Sequence, residues 1–555
     1  MGCGMEIFKK IHPALAVFFL GILVFIPSLN FDFVYDDLVE IRQYEELFTK
    51  GPWYRVFATA QARRYRPVKH LSLNIDYALW KWRPAGFHLT NLLLHGAVCA
   101  LLYFFLFRVS SSRSGSFLGA AWFALHPVHT ESVAWISARG SMLAGVGVSG
   151  FLLFYLRWRE KGRPRDIIVA GLFALLGYFG KENALMAIPA LALVEIYVSP
   201  SHQIKNLKNP RFRIGMAVAI FPAILYLGLR MFLLRGFALE AREGGFAMWL
   251  ATLPEILVRY FGKTIYPATM TVEYPAIGGG FGLFFWGSTF FCLLAILSLG
   301  VRNPAFRPWK LFLAWFFIFL IPVLGIVAIN QQMADRFLYL PSMAGAFFVA
   351  CLWKKITEEK PGWKKMFLTV WGALLFFFVL RILFYLPVWK NEQSLWTYTV
   401  KVNPGSYRAW NNLAALDNNG GRFSRGLERA EKSLRIKPDH IEAMVSQAYA
   451  LDRLGRKGEA EEVYRKAAAM NPAYTPALFA FADLLERMGK LEESEEVYDR
   501  IFKLRPGFVD ARIAAGVLCM KMGKKDRAVF HWKKALETDP ENALARQNLK
   551  RALEE

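Results

Sequence analysis

No Asn-x-Ser/Thr triplet occurs anywhere in the sequence, which excludes N-linked glycosylation at that signal. Cysteine is scarce, with 5 residues: Cys3, Cys99, Cys292, Cys351 and Cys519. Only Cys519 falls in the polar C-terminal part, so that part holds no internal disulfide. Acidic residues are few, 44 against 68 Lys and Arg, which leaves a net charge of +24. Much of that excess sits in short basic loops, and it is not read as nucleic-acid binding. A small-x-small cleavage pattern is missing after the first apolar run, where Pro27-Ser28-Leu29 stands, so an uncleaved anchor is expected. Met1-Gly2-Cys3 is no lipidation signal, because Glu6 replaces the required Ser or Thr.

What the chain has in abundance is apolar sequence: 55% hydrophobic and 15% aromatic residues over 555 positions. Apolar runs long enough to cross about 30 Å of hydrocarbon recur up to position 390. They lie near 12–29, 88–107, 140–156, 213–234, 281–300, 309–328 and 366–387. Shorter candidates lie near 115–127, 166–180, 183–198 and 337–353. The spacing predicts about 11 transmembrane helices. The 249–267 stretch breaks the alternation if it crosses and is expected to be interfacial or re-entrant. The basic loops 157–165, 205–213 and 354–365 then share the cytoplasmic side with Lys9 and Lys10. Loops 30–87, 128–139, 236–280 and 329–336 fall outside, with the C-terminal tail.

That tail is periodic. Pro404, Pro438, Pro472, Pro506 and Pro540 recur every 34 residues, as do Gly421, Gly455, Gly489 and Gly523. This is the tetratricopeptide (TPR) period. Glycine is wanted where the first helix of each pair ends in a left-handed residue. Small residues (Ala409, Ala443, Ala477, Ala511; then Ala414, Ala448, Ala482, Gly516) let paired helices approach. Tyr464, Tyr498 and Trp532 are the large packing residues, with Ala430 in the first repeat. The expected fold is all-α. A membrane domain over 1–390 precedes a TPR solenoid over 391–555, with four repeats in about 407–540 and a capping helix at 541–555. The array is a generic protein-binding surface or a spacer.

The polar residues that break the apolar pattern gather in the predicted outer loops. Asp36 and Asp37 follow the first span, and neighbouring carboxylates at a membrane exit are costly to keep. Arg63, Arg64, Arg66 and Lys69 follow in the same loop, against the positive-inside bias. Guanidinium groups match phosphate oxygens, so an anionic ligand is one account; amphipathic helices on anionic headgroups are the other. His126, His129 and Glu131 occupy the second outer loop, followed by Arg139. A third strong metal ligand is not evident and Pro127 breaks the helix, so no metal is expected, and a substrate-orienting role is preferred. Lys181 and Glu182 interrupt two spans, and Arg230 lies near the outer end of another. Arg336 closes the set, with Asp335 beside it as one partner to neutralise it.

Together Tyr35-Asp36-Asp37, Arg66-Pro67, the run from His126 to Ser137, Lys181-Glu182 and the run from Ala334 to Ser342 resemble one family. It is the transmembrane and tetratricopeptide repeat-containing O-mannosyltransferases and their bacterial relatives, within the GT-C superfamily of membrane glycosyltransferases. The resemblance covers nearly the whole chain. It implies transfer of mannose or another hexose from a polyprenyl-phosphate carrier, the co-substrate, to a Ser or Thr hydroxyl of an exported protein. No separate cofactor is implied. Asp36, with Asp37 second, becomes the catalytic base. Arg66, Lys69, Arg139, Lys181, Arg230 and Arg336 become the cations for the donor phosphate, and His126, His129, Glu131 and Glu182 the groups that orient substrate. The chain departs from its bacterial relatives at Gly140-Ser141, where they carry a charged pair. The expected location is a bacterial inner membrane, with site and repeats on the extracytoplasmic side and the array holding the acceptor protein. The alternative function is a non-catalytic TPR scaffold for envelope assembly; a flippase ranks last.

Overall fold

The computed structural model describes residues 2–42, 52–58, 64–198, 208–234, 245–275, 307–325 and 331–554, with 277 and 287 as isolated positions. The predicted span near 281–300, with Cys292, lies outside the described residues, as do Arg63 and Lys205. Every described element is helical; no β-strand occurs among the described residues. The chain divides into two compact units, Met1–Leu395 and Trp396–Glu555.

In the first unit, each predicted span that is described meets a helix. Among the described residues, four helical segments are long and apolar enough to cross a membrane: Pro84–Ser110, Ile136–Lys161, Pro210–Leu233 and Pro361–Trp389. Others fall short. Arg113–Ala124 and Ala187–Val198 have 12 residues each, about 18 Å at 1.5 Å per residue. The reason is local: polar turns at Pro127–His129 and Glu182–Met186 interrupt the helix where the apolar run continues. The 249–267 stretch forms one continuous helix, Gly245–Ile265, with Pro254 inside it.

Glycine lets two helices of this unit cross closely. Helices Gly140–Lys161 and Pro164–Gly180 pack with Gly147 against Gly177. A Cβ on Gly147 would lie 2.3 Å from the Gly177 Cα, and backbone cannot rotate aside as a side chain can. Gly147→Ala is therefore expected to lower the unfolding midpoint in detergent, by roughly 1–3 kcal/mol of overpacking strain. Gly228→Ala is the control, because nothing lies within 4 Å of its added Cβ.

The second unit is built from helix pairs: Tyr407–Asn419 with Phe423–Ile436, Ile441–Arg453 with Lys457–Met470, Thr475–Arg487 with Leu491–Leu504, and Val509–Lys521 with Lys525–Thr538. Helix Ala543–Glu554 follows and buries Ala545 and Ala552. Gly421, Gly455, Gly489 and Gly523 have φ of 73°, 83°, 80° and 72°. The following N–H reaches back to a carbonyl five residues earlier each time, Arg422 to Asp417 at 2.8 Å and Lys524 to Cys519 at 2.8 Å among them. This double turn satisfies the last carbonyls of the helix. Gly516 replaces the alanine of the other repeats because Trp532 lies on it: a Cβ there would sit 2.3 Å from the indole nitrogen.

Candidate active site

The first outer loop folds around a turn that separates the two adjacent carboxylates. Asp37 is fully buried. One of its oxygens accepts the Val34 N–H at 3.1 Å and the other the Ser137 N–H at 2.8 Å. Burial pushes its pKa up to about 7 against these hydrogen bonds. Asp37 thus ties two loops together. Asp36 faces the other way and is half-buried. Among the described residues nothing hydrogen-bonds its carboxylate. Burial, then the nearby Glu40, raises its pKa, while Arg64, Lys69 and Arg336 pull it down. Between Val34 and Asp36, Tyr35 adopts φ +57°, a conformation that L residues rarely take.

The cations lie within electrostatic reach of one another, and most are held by a carboxylate. Lys69 Nζ donates to both Glu40 oxygens at 2.9 and 2.6 Å. Arg66 forks onto Glu182, with Nε at 2.8 Å from Oε2. Arg230 lies 3.9 Å from the same carboxylate and donates to the Tyr226 hydroxyl at 3.1 Å. The Arg336 amide donates to Glu131 at 2.8 Å, and its guanidinium pairs with Glu131 and Gln331. That guanidinium lies 5.1 Å from the Trp135 ring centre and 5.0 Å from that of Phe337. Asp335 does not pair with it. Asp335 accepts from the Tyr274 hydroxyl at 2.6 Å and lies 3.4 Å from Lys263.

Lys181 differs from the rest. It is buried, donates to Ser141 Oγ at 2.8 Å and lies 6.0 Å from the Phe337 ring centre. Among the described residues no carboxylate is within ion-pairing distance of it. Burial, then Arg66 and Arg336, hold its pKa well below the ordinary lysine value. Burial and its cationic neighbours thus disfavour the ammonium form of Lys181, and an anion arriving beside it favours that form.

Three of the sequence candidates stand apart from this group. Arg139 is fully buried and pairs with Asp76 at 2.5 Å. It also donates to Asn91 at 2.7 Å, the Phe87 carbonyl at 2.9 Å and Ser72 at 3.4 Å. No face of it is open to a ligand. His126 and His129 are wholly buried among aromatic rings. His126 bonds the Thr264 carbonyl at 3.0 Å and His129 bonds Ser342 at 2.9 Å. Both fasten helices. Among the described residues no group of three His, Cys, Asp or Glu converges as metal ligands. Glu40 and Trp135 were missed as parts of the site, and Ser141 was noted only as a departure from relatives. Glu40 carried a signal, four residues after Asp36; Trp135 comes beside Arg336 only after folding.

Comparison with known proteins bears on this geometry. The chain is 23% identical over 485 residues to human Protein O-mannosyl-transferase TMTC3, covering 79% of this chain and 53% of that protein. The Drosophila melanogaster Tmtc3 is 25% identical over 535 residues, covering 80% and 57%. Over most of its length this chain is similar to the TMTC protein O-mannosyl-transferases. Drosophila Tmtc2 is 31% identical over a shorter 202 residues, 33% of this chain and 22% of that protein. The chain thus spans about half the length of the TMTC3 relatives it matches. Tetratricopeptide-repeat models match residues 419–475, 453–515 and 509–542. Among solved structures, the crystal structure of MamA covers 27% of this chain and 87% of its own, at 23% identity and a TM-score of 0.25.

Proposed function

We propose that the protein is a membrane glycosyltransferase. It moves a hexose, mannose first, from a polyprenyl-phosphate carrier to a Ser or Thr hydroxyl of an exported protein at the outer face. Two named features of the relatives support the chemistry: transfer of mannose, and protein as acceptor. The observation that carries the reading is the Asp36 carboxylate, which has no hydrogen-bond partner among the described residues and lies within electrostatic reach of Arg64, Lys69 and Arg336, together with Lys181, buried near Arg66 and Arg336 with no carboxylate paired to it among those residues.

Asp36 takes the acceptor's hydroxyl proton as that oxygen attacks the anomeric carbon. The bond from this carbon to the phosphate oxygen breaks, and its electron pair stays on the phosphate. Lys181 and Arg336 stabilise that growing charge, with Arg66 behind them. Ser141 matters here: a carboxylate at that position would neutralise Lys181, whereas a hydroxyl only orients it. The bacterial inner membrane is the setting, and the repeats hold the acceptor.

The test is transfer of label from undecaprenyl-phosphate-linked mannose or glucose to a panel of exported proteins by the purified full chain. Transfer is expected, and Lys181→Met is expected to reduce kcat/KM for the donor by roughly 10–100-fold, the worth of a charged hydrogen bond. No transfer from either donor, with exported proteins still captured, would leave the scaffold reading in its place.

A further inference from the structure

The catalytic-base loop is gripped from a distant part of the chain. The segment from Trp389 to Glu392 touches it directly at two points and through Trp135 at a third. The Asp32 N–H donates to the Lys390 carbonyl at 2.9 Å. The Tyr35 N–H donates to Glu392 Oε1 at 2.5 Å. The Trp389 ring, fully buried, stacks on Trp135 with centres 6.1 Å apart and planes 21° from parallel. Trp135 in turn lies against the Tyr35 ring, 5.2 Å between centres. Two of these contacts converge on Tyr35, whose backbone is left-handed, next to Asp36. A non-glycine residue keeps such a conformation only where its surroundings over-determine it. The double grip of Asp37 fixes the far side of the turn; Glu392 fixes the near side.

We propose that Glu392 is a positioning residue for the glycosyl transfer: by accepting the Tyr35 N–H it holds the strained turn that points the Asp36 carboxylate at the acceptor. The inference rests on the reading of Asp36 as the base. Glu392 touches neither substrate and acts through backbone geometry. It is also the first residue of helix Glu392–Val402, which carries the chain from the first compact unit into the second.

The hydrogen bond needs a carbonyl-type oxygen at a fixed reach, which sets the variants. Glu392→Gln keeps the acceptor, Glu392→Ala removes it, and Glu392→Asp keeps the charge but falls one methylene short. With undecaprenyl-phosphate mannose as donor, Glu392→Ala and Glu392→Asp are expected to lose about tenfold or more in kcat while donor KM stays within about twofold, as misplacement of a catalytic group does. Glu392→Gln is expected to stay within about threefold of the unmodified protein, because its amide oxygen still accepts the bond. Full kcat in Glu392→Asp, or a Glu392→Gln as impaired as Glu392→Asp, would overturn the role. If Glu392→Ala fails to accumulate folded, the Gln and Asp variants decide alone. A wrong assignment of the base reads differently: Asp36→Asn would then transfer at the unmodified rate whatever the Glu392 series does.

Discussion

Asp36→Asn is expected to slow sugar transfer by about 10²–10⁴-fold at saturating donor and acceptor, the range for loss of a general base. The substitution keeps the shape and removes only the ability to take a proton. No hydrogen bond to a described residue is lost, so the unfolding midpoint is expected to stay where it is. The pH profile gives a second signature. Burial and Glu40 raise the Asp36 pKa, and the base must be ionised to act. Transfer is therefore expected to rise with pH on an acid limb whose midpoint lies above the usual aspartate value, and the residual rate of the Asn variant is expected to lack that limb. Transfer assays from pH 4 to 9 check both. The neighbouring carboxylate makes the contrast clear: an amide at position 37 cannot accept both the Val34 and the Ser137 N–H, so a change there acts through the fold.

Arg139→Met is expected to have the largest effect on stability, about 3–5 kcal/mol, with little folded protein recovered. The removed guanidinium leaves Asp76 nearly inaccessible to water, with the Thr90 hydroxyl at 2.7 Å as its remaining hydrogen-bond donor in the described structure. It also strands the Asn91 side-chain oxygen that it satisfied. Asp76→Asn leaves the complementary fault, a buried cation without its counter-ion. The pair of changes together removes both charges, so the double variant is expected to unfold at a higher denaturant concentration than Arg139→Met alone. Unfolding in detergent with added denaturant measures this. If Arg139 served the donor phosphate instead, Arg139→Met would fold normally and lose only transfer.

The all-helical fold was legible because it is written in spacing. Four helix pairs follow from prolines and glycines 34 residues apart, the glycines standing where a left-handed conformation is needed, as their φ values display. Apolar runs located the helices of the first unit, but their lengths were obscured. A run such as 183–198 looks continuous in hydrophobicity while Glu182–Met186 turns away before the helix begins. The group around Asp36 was harder to read, because pairing depends on contacts far apart in sequence. Asp335 sits beside Arg336 in the chain, yet Arg336 is held by Glu131, 205 residues away. Nothing local distinguishes Asp36 from Asp37 either: the difference is made by an amide at Ser137, 100 residues on. Arg139 fits the sequence pattern of an outer-loop cation, but whether such a group faces a ligand or the interior is decided by Asp76 and Asn91, on helices that pattern cannot orient.

The repeated double turn at Gly421, Gly455, Gly489 and Gly523 makes the length of the array a separable trait. Each pair makes the same internal turn between its two helices, so duplication or deletion of one whole unit between the second and third pairs would leave every such turn native in kind. The last pair is the exception. There Trp532 rests on Gly516 and, with Cys519 and Ala528, meets Ala552 of the terminal helix. Gene-level growth of this domain is thereby easiest between its second and third pairs.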